Sequence, residues 1–346
     1  MNLRYVYIVF LIAVAFSCSD DEKPKGKYEH GAIIVNEGGF GSGNGTVTFY
    51  NTSTTEVEQN ILRATATGFA GDVAQSITFK DDKAYLVLNG DSKIQIADAN
   101  TFETESIIAG ADIVAPRYIE VINGKAYISV WGPYDANYSL IDSYVLVYDL
   151  STGTVLKKID TDEGTENLLY NGSYLFASNY NYGGSSTLAV INPSDNTLVK
   201  QIELSAGPSG MVTDANNKLW VVCSGWNSGN LYRINPSTLA IEATIEISAS
   251  PGTDLAITPD KQNILYTVGK SVYKLPIGST SEASTALINS DVKAFYTFNV
   301  NPDNGDIWIG DALNYATTGK VYIYSADGTA KSSFEAGISP GQFKFK

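Results

Sequence analysis

The last ten residues of the chain, Gly337 to Lys346, read GISPGQFKFK. After a turn rich in Gly, Ser and Pro, apolar Phe343 and Phe345 alternate with lysines, which is the two-residue period of a half-buried strand. The same pattern of a turn followed by a short alternating strand recurs upstream as VAPRYIEVI (114–122), AGPSGMVTD (206–214) and SASPGTDLAI (248–257). Because the C-terminal copy has no continuation, its remaining strands are expected at the N-terminus, which predicts a closed ring.

The composition favours many short strands and disfavours a polyanionic partner. The 346 residues include 37 Asp plus Glu, 23 Lys plus Arg and a single His, a net charge of -14. Such a surface repels nucleic acid and anionic lipid. Tyr is abundant, with 22 residues, and no long stretch has apolar residues at helical spacing. Strands joined by turns are therefore expected, and one large domain can accommodate this length.

The repeat contains four strands, A to D, over about 45 residues, which is typical of a propeller blade. Seven B–C–D sets can be counted, and seven A strands if the C-terminal strand is assigned to the first set. The predicted A strands are 75–79, 117–121, 167–170, 210–213, 254–257, 295–300 and 342–345. The fold prediction is all-β: a seven-bladed propeller of four-stranded antiparallel blades, closed by the C-terminal strand joining the N-terminal blade. Six or eight blades stay open, because the sixth unit is weak and 64–72 is unassigned.

The N-terminus has the pattern of a targeting segment. Arg4 precedes an apolar run, residues 6–16, that is too short for a typical membrane span. The following Ala15-Phe16-Ser17-Cys18 resembles a bacterial lipoprotein signal, which implies cleavage before Cys18 and a lipid on its thiol. A plain signal peptide or an uncleaved anchor is the alternative.

These features divide the chain into a signal peptide (1–17), a lipidated Cys with a flexible acidic tether (18–29) and one propeller domain (30–346). The acidic run 19–22 resembles the export signal of surface lipoproteins in the Bacteroidetes; alternatively it is an ordinary solvated tether. The expected location is the outer membrane, lipid-anchored and facing the exterior. Cys223 follows four apolar residues, so a buried structural thiol is expected there.

Strings such as Asn217-Lys-Leu-Trp-Val-Val followed by Leu-Tyr-Arg-Ile-Asn-Pro-Ser-Thr-Leu resemble YncE-like seven-bladed propellers. With the lipoprotein start, the mature chain resembles propeller surface lipoproteins of the Bacteroidetes. One group of these captures corrinoids for a TonB-dependent transporter, so the resemblance implies a corrinoid as ligand and such a receptor as partner.

The motifs for catalysis are poorly supported. Gly337-Ile-Ser-Pro-Gly341 matches G-x-S-x-G, but that motif needs a helix after the serine and a base, and the single His is His30. A blade turn is the better interpretation. The glycine-rich segment 38–45 leads into a strand and is interpreted as a loop, since a phosphate cradle needs a helix N-terminus.

Metal chemistry also has few ligands available. One His and one cysteine besides Cys18 exclude the usual zinc, haem and copper sites. The starts of the A strands offer a mixed set with one carboxylate: Gln75, Arg117, Glu166, Ser209 and Thr253. No cofactor is predicted, although calcium in the central channel remains open because acidic residues precede three A strands: Asp72, Asp112 and Asp291.

The aromatic residues outside strands indicate a binding face. In a propeller the B–C and D–A loops emerge on one face, and here the B–C loops are long and aromatic while the A–B hairpins are short and polar. The candidate ligand-binding residues are Phe40, Trp131, Tyr134, Tyr138, Tyr180, Tyr182, Trp226 and Tyr315, with Arg117 and Gln75. Such a face suits a bulky, mostly neutral ligand with polar edges. Alternatively, the aromatics only pack the loops together.

Three functions follow, in order of preference. The first is a non-enzymatic lipoprotein that captures a small molecule, with a corrinoid as the best guess, and passes it to a TonB-dependent receptor. The second is a glycan- or protein-binding surface module. The third is an enzyme of the lactonase or lyase type, which is disfavoured because the chain offers few bases.

Overall fold

The computed structural model describes residues 25–62 and 70–346. Their strands form seven four-stranded antiparallel sheets arranged as the blades of a ring. The chain is therefore a seven-bladed β-propeller, as the repeat predicts. Among the described residues, one 3-10 turn, Asn181–Gly183, is the sole helical segment. In the same part of the chain, no helix has the length and hydropathy needed to span a membrane.

The first four blades follow the predicted order closely. Blade one contains β1 (Ala32–Asn36), β2 (Thr46–Tyr50) and β3 (Val57–Glu58). Blade two contains β4 (Ala74–Lys80), β5 (Lys83–Leu88), β6 (Lys93–Asp98) and β7 (Thr104–Ala109). Blade three contains β8 (Pro116–Ile122), β9 (Lys125–Val130), β10 (Tyr144–Asp149) and β11 (Thr154–Asp160). Blade four contains β12 (Thr165–Tyr170), β13 (Leu175–Asn179), β14 (Thr187–Asn192) and β15 (Thr197–Glu203).

The remaining blades complete the ring. Blade five contains β16 (Pro208–Thr213), β17 (Leu219–Ser224), β18 (Gly229–Asn235) and β19 (Ala240–Ile247). Blade six contains β20 (Ala256–Ile257), β21 (Asn263–Val268), β22 (Ser271–Pro276) and β23 (Ile288–Asn289). Blade seven contains β24 (Phe295–Val300), β25 (Ile307–Asp311), β26 (Thr318–Tyr324) and β27 (Ala330–Ile338), and the chain ends in β28 (Pro340–Phe345).

The C-terminal strand closes the ring. β28 pairs antiparallel with β1 and becomes the innermost strand of blade one, with Phe343 opposite Ile34. Two backbone hydrogen bonds between Gly31 and Lys346, of 3.1 and 2.8 Å, extend this pairing to the end of the chain. Phe343 is buried against Trp308 of blade seven, with 5.9 Å between the ring centroids. A ring of sheets has no open edge between its first and last blade once this strand is in place.

The core lies between adjacent blades, where the apolar faces of neighbouring sheets meet. The inner strands leave a central channel, and each runs from the face with the B–C and D–A loops to the opposite face. Three strands are shorter than the sequence predicts. β3 ends at Glu58, whereas the sequence predicts 57–62, and β20 begins at Ala256, whereas the sequence predicts 254–257. β23 covers only Ile288–Asn289, whereas the sequence predicts 285–288.

Candidate functional site

The inner strands share a backbone irregularity at the level where they enter the channel. In six of them, all except the two-residue β20, the register with the neighbouring strand shifts near the start. Such β-bulges redirect side chains and are frequent beside functional sites. The residues skipped by the pairing are Gly341, Gln75, Arg117 with Tyr118, Glu166 with Asn167, Ser209 with Gly210, and Tyr296.

A second repeated feature precedes the bulges. Five blades have a left-handed residue directly before the inner strand: Val73, Ala115, Gly164, Gly207 and Ser339. The carbonyl of each accepts a hydrogen bond, 2.7–3.2 Å long, from the backbone N–H of a residue at the end of strand B or directly after it: Asn89, Trp131, Tyr180, Ser224 and Glu37, respectively. This turn places the five donor residues around the mouth of the channel, which is the end where the B–C and D–A loops emerge.

Arg117 is the central charged group of the mouth. Its Nε donates to Glu166 Oε2 at 2.9 Å, its Nη2 donates to Glu166 Oε1 at 2.8 Å, and its Nη1 donates to Gln75 Oε1 at 2.5 Å. Both ionic side chains are largely buried. Burial by itself would lower the pKa of Arg117, but the charge and hydrogen bonds of Glu166 outweigh it and keep the pKa above its usual value. The positive charge of Arg117 is thus balanced by Glu166 within the site.

Glu37 adds a second carboxyl to the mouth. The Tyr296 hydroxyl donates to its Oε2 at 2.5 Å. Burial raises the pKa of Glu37, and the opposing effects of Tyr296 and Arg117 do not cancel this rise. Burial, with the charge of Glu37, also raises the pKa of Tyr296. Both shifts are in the direction that favours the protonated forms of the two groups.

Aromatic rings form the wall above these polar groups. The Arg117 guanidinium carbon lies 4.2 Å from the Trp131 ring centroid, a cation–π distance. Tyr182 packs edge-on against Trp131 at 4.9 Å, and its hydroxyl lies 3.4 Å from that of Tyr134. Tyr315 packs against Tyr296 at 5.7 Å. The rings of this wall are therefore held partly by contacts with one another and partly by contact with the polar side chains beneath them. We call those side chains the floor: Gln75, Arg117, Glu166 and Glu37.

An open cavity of about 380 Å³ lies among these side chains at the channel mouth. It is lined by Glu37, Gly38, Gly39, Phe40, Val73, Gln75, Asn89, Arg117, Trp131, Tyr134, Tyr182, Tyr296, Tyr315 and Ser339. A cavity of this size with aromatic walls and a few convergent polar groups has the usual character of a small-molecule site.

Seven of the ten candidate residues line this cavity: Phe40, Gln75, Arg117, Trp131, Tyr134, Tyr182 and Tyr315. Their exposure differs widely, since Trp131 is 3% exposed, Tyr182 57% and Phe40 88%. The other three do not line it. Tyr138 and Trp226 project into solvent at 86% and 80% exposure, while Tyr180 is largely covered and burial raises its pKa.

Glu37 and Tyr296 lie in the site but were not among the candidates. Tyr296 falls inside the strand predicted at 295–300 and is the blade-seven equivalent of Gln75 and Arg117. Glu37 directly follows strand B of blade one, where Trp131 stands in blade three. Aligning the blades on strand A reveals Tyr296, and aligning them on the end of strand B reveals Glu37.

The structure shows what surrounds the acidic residues and cysteines considered as metal ligands. Within residues 25–62 and 70–346, no group of three or more His, Cys, Asp or Glu side chains could hold a metal ion. Asp72 accepts the N–H groups of Gly41 and Gly43, and Asp112 pairs with Lys158 at 2.8 Å. Cys18 lies outside the described residues. Cys223 is buried, and burial raises the pKa of its thiol to about 12, as expected for a structural cysteine.

Ser339, the serine of the G-x-S-x-G match, is explained by the blade turn. Its φ of 52° resembles the strained serine of a nucleophile elbow, but Val73 and Ala115 have the same backbone at equivalent positions. The segment continues directly into β28, so no helix follows it. The backbone conformation therefore belongs to the repeat.

The protein is a closed seven-bladed propeller, and the mouth of its channel holds an aromatic-walled cavity above the Arg117–Glu166 ion pair. The chain belongs to a family described as a domain of unknown function (DUF5074), whose model matches residues 30–337. Comparison with curated protein sequences found no match.

Solved structures share the fold at low sequence identity. A quinonprotein alcohol dehydrogenase-like protein from Bacteroides thetaiotaomicron is 14% identical, with a TM-score of 0.69 over 91% of this chain and 78% of that one. A functionally unknown protein from Desulfotomaculum acetoxidans is 10% identical, with a TM-score of 0.68 over 91% and 98%. Hydrazine synthase from Kuenenia stuttgartiensis is 15% identical, with a TM-score of 0.55 over 72% and 76%.

Proposed function

We propose that the protein captures a bulky, mostly neutral molecule with polar edges at the channel mouth, and that it binds this ligand without turnover. The observation that carries the proposal is the convergence of aromatic residues from four B–C loops with Gln75, Arg117 and Glu37 around one cavity. Exposed rings offer apolar area at low entropic cost, while the floor offers hydrogen-bond donors and acceptors in fixed positions.

The charge balance of the floor supports a neutral ligand. Arg117 already donates to Glu166 and Gln75, so an anionic ligand would have to replace a counter-ion that is in place. Burial raises the pKa of Glu37, so a further negative charge beside this carboxyl is disfavoured. A ligand with neutral polar groups at its edge meets both conditions.

The cavity is smaller than a tetrapyrrole-sized ligand, so such a ligand would insert one edge and lie with its face on the exposed rings. This geometry is compatible with a corrinoid, the ligand implied by the resemblance to surface propeller lipoproteins. The same resemblance supports a lipid anchor on Cys18, exposure at the outer membrane and transfer to a TonB-dependent receptor. Loss of lipid labelling in a Cys18→Ser variant and co-purification of such a receptor would test these two points.

Isothermal titration with cobinamide, cobalamin, haem and a siderophore tests the capture proposal. We expect Tyr182→Ala and Tyr315→Ala to weaken binding at least about tenfold, the loss of about 1.4 kcal/mol that an interfacial aromatic commonly supplies. Tyr138→Ala and Trp226→Ala are matched controls, because those exposed aromatics lie outside the cavity. Absence of binding to all four compounds, or equal losses in the controls, would contradict the proposal.

A glycan is the second candidate. The exposed rings of Tyr134, Tyr182 and Tyr315 stand above amide and carboxyl groups, an arrangement that also suits a sugar ring. A glycan array on the intact protein distinguishes the two candidates, since the tyrosine variants would then lose glycan signal while no cofactor-like compound binds.

A further inference from the structure

The opposite end of the channel contains a second set of polar side chains. Strand register places Lys344 opposite Ile33, Thr78 opposite Tyr85, Glu120 opposite Tyr127 and Asn299 opposite Trp308. These four inner-strand residues are the same distance beyond the bulge in blades one, two, three and seven. They therefore lie at one level of the channel, below the mouth.

Lys344 and Glu120 line a cavity of about 430 Å³ at this level. Within the described residues, neither side chain has a hydrogen bond or an ion pair within 4.0 Å. Both keep part of their surface accessible. Their polar groups are therefore available to a small molecule that enters the cavity.

The electrostatics shift both groups toward their neutral forms. Burial lowers the pKa of Lys344, and the attraction of Glu120 only partly offsets this. Burial raises the pKa of Glu120, against the smaller effects of Lys344 and Lys80. Both shifts raise the share of free amine and of carboxylic acid, the two forms that attack a carbonyl carbon and protonate a departing hydroxyl.

We propose that the lower channel is a carbonyl-binding site, in which the Lys344 amine forms an imine with a small aldehyde or ketone and Glu120 acts as the acid. This site is separate from the cavity at the mouth, and the proposal does not depend on the ligand bound there.

The step balances without a redox partner. The lone pair of Lys344 Nζ attacks the carbonyl carbon, the C=O π pair moves to oxygen, and a proton passes from nitrogen to oxygen to give a carbinolamine. Glu120 then delivers a proton to the departing hydroxyl, water leaves, and the nitrogen lone pair forms the C=N bond. The protonated imine returns a proton to Glu120, so the sum is amine plus carbonyl compound to imine plus water.

Reductive trapping on the intact protein tests this directly. Pyridoxal and sodium cyanoborohydride are added at pH 7, and labelling of each lysine is followed by peptide mass spectrometry. We expect Lys344 to be labelled at least about tenfold faster than the exposed Lys270, because Lys344 lines a cavity and burial lowers the pKa of its amine. Labelling of Lys344 that is equal to or slower than that of Lys270 would overturn the proposal.

Two variants separate the roles. Lys344→Met should remove the fast-labelled peptide and leave the rate at Lys270 unchanged. Glu120→Gln should slow labelling of Lys344 while Lys270 again serves as the internal reference; an unchanged rate would remove Glu120 from the mechanism. The comparison of Lys344 with Lys270 within the unmodified protein decides the proposal even if either variant fails to fold.

Discussion

The Arg117–Glu166 pair offers a quantitative test of how the mouth is held together. The two side chains are 18% and 6% exposed and share hydrogen bonds of 2.8 and 2.9 Å. Breaking a buried ion pair by removing one partner costs about 3–5 kcal/mol. In Glu166→Gln the new amide oxygen can still accept one bond and Gln75 remains, so we expect a loss of about 2–4 kcal/mol. For a chain of this length, that corresponds to a melting temperature about 3–6 °C lower.

Differential scanning calorimetry measures the shift, and Glu242→Gln is the matched control. Glu242 pairs with Lys218 at 2.6 Å, but both of those side chains are more exposed, so a loss below about 1 kcal/mol is expected. The double variant Arg117→Met with Glu166→Leu should recover part of the loss, because no buried charge is then left unpaired. If Glu166→Gln lowers the melting temperature no more than Glu242→Gln does, the pair does not support the site.

Two further predictions concern closure and pH. Phe343→Ala should lower the free energy of unfolding by about 3–5 kcal/mol in a denaturant titration, because it removes a fully buried ring where blades one and seven meet. The exposed Phe40 is the control, and Phe40→Ala should change that free energy by less than about 0.5 kcal/mol. Equal effects of the two substitutions would refute the closing role of Phe343. Burial raises the pKa of Asp254 to about 6, so the folded state binds a proton that the unfolded state has lost, and stability should fall as pH rises from about 4 to 6. Asp254→Asn should flatten that slope in calorimetry across this range, and an unchanged slope would assign it to another group.

The fold was predictable because it depends on a local pattern repeated many times. Alternating strands and Gly/Pro turns recur in every blade, and the unpaired segment at 342–345 required a partner at the N-terminus. The pattern is weakest where the strands are shortest, at β3, β20 and β23, and there the predicted boundaries were wrong. Short strands have too few residues to show a period of two.

The site was only partly predictable, and the bulges explain why. The aromatic B–C loops are visible in the sequence, but a bulge adds one residue and changes which side chains face the channel. Tyr296 therefore sits inside an otherwise regular strand and gives no signal by alternation. Glu37 looks like the start of a glycine-rich loop, and its burial becomes evident only when ring closure brings Tyr296 of the neighbouring blade seven to it.

The closing strand links the two ends of the channel. Its apolar Phe343 holds the seam between blades one and seven, while Lys344 on its other face lines the lower cavity. At the bulge, a Cβ on Gly341 would lie 2.9 Å from Glu37 Oε1, so the absence of a side chain there makes room for the Glu37 carboxyl. One short strand thus closes the ring, admits Glu37 to the mouth and supplies the lower amine. Because these roles fall on different residues, Gly341 and Lys344 can be varied to change each end of the channel while Phe343 keeps the ring closed.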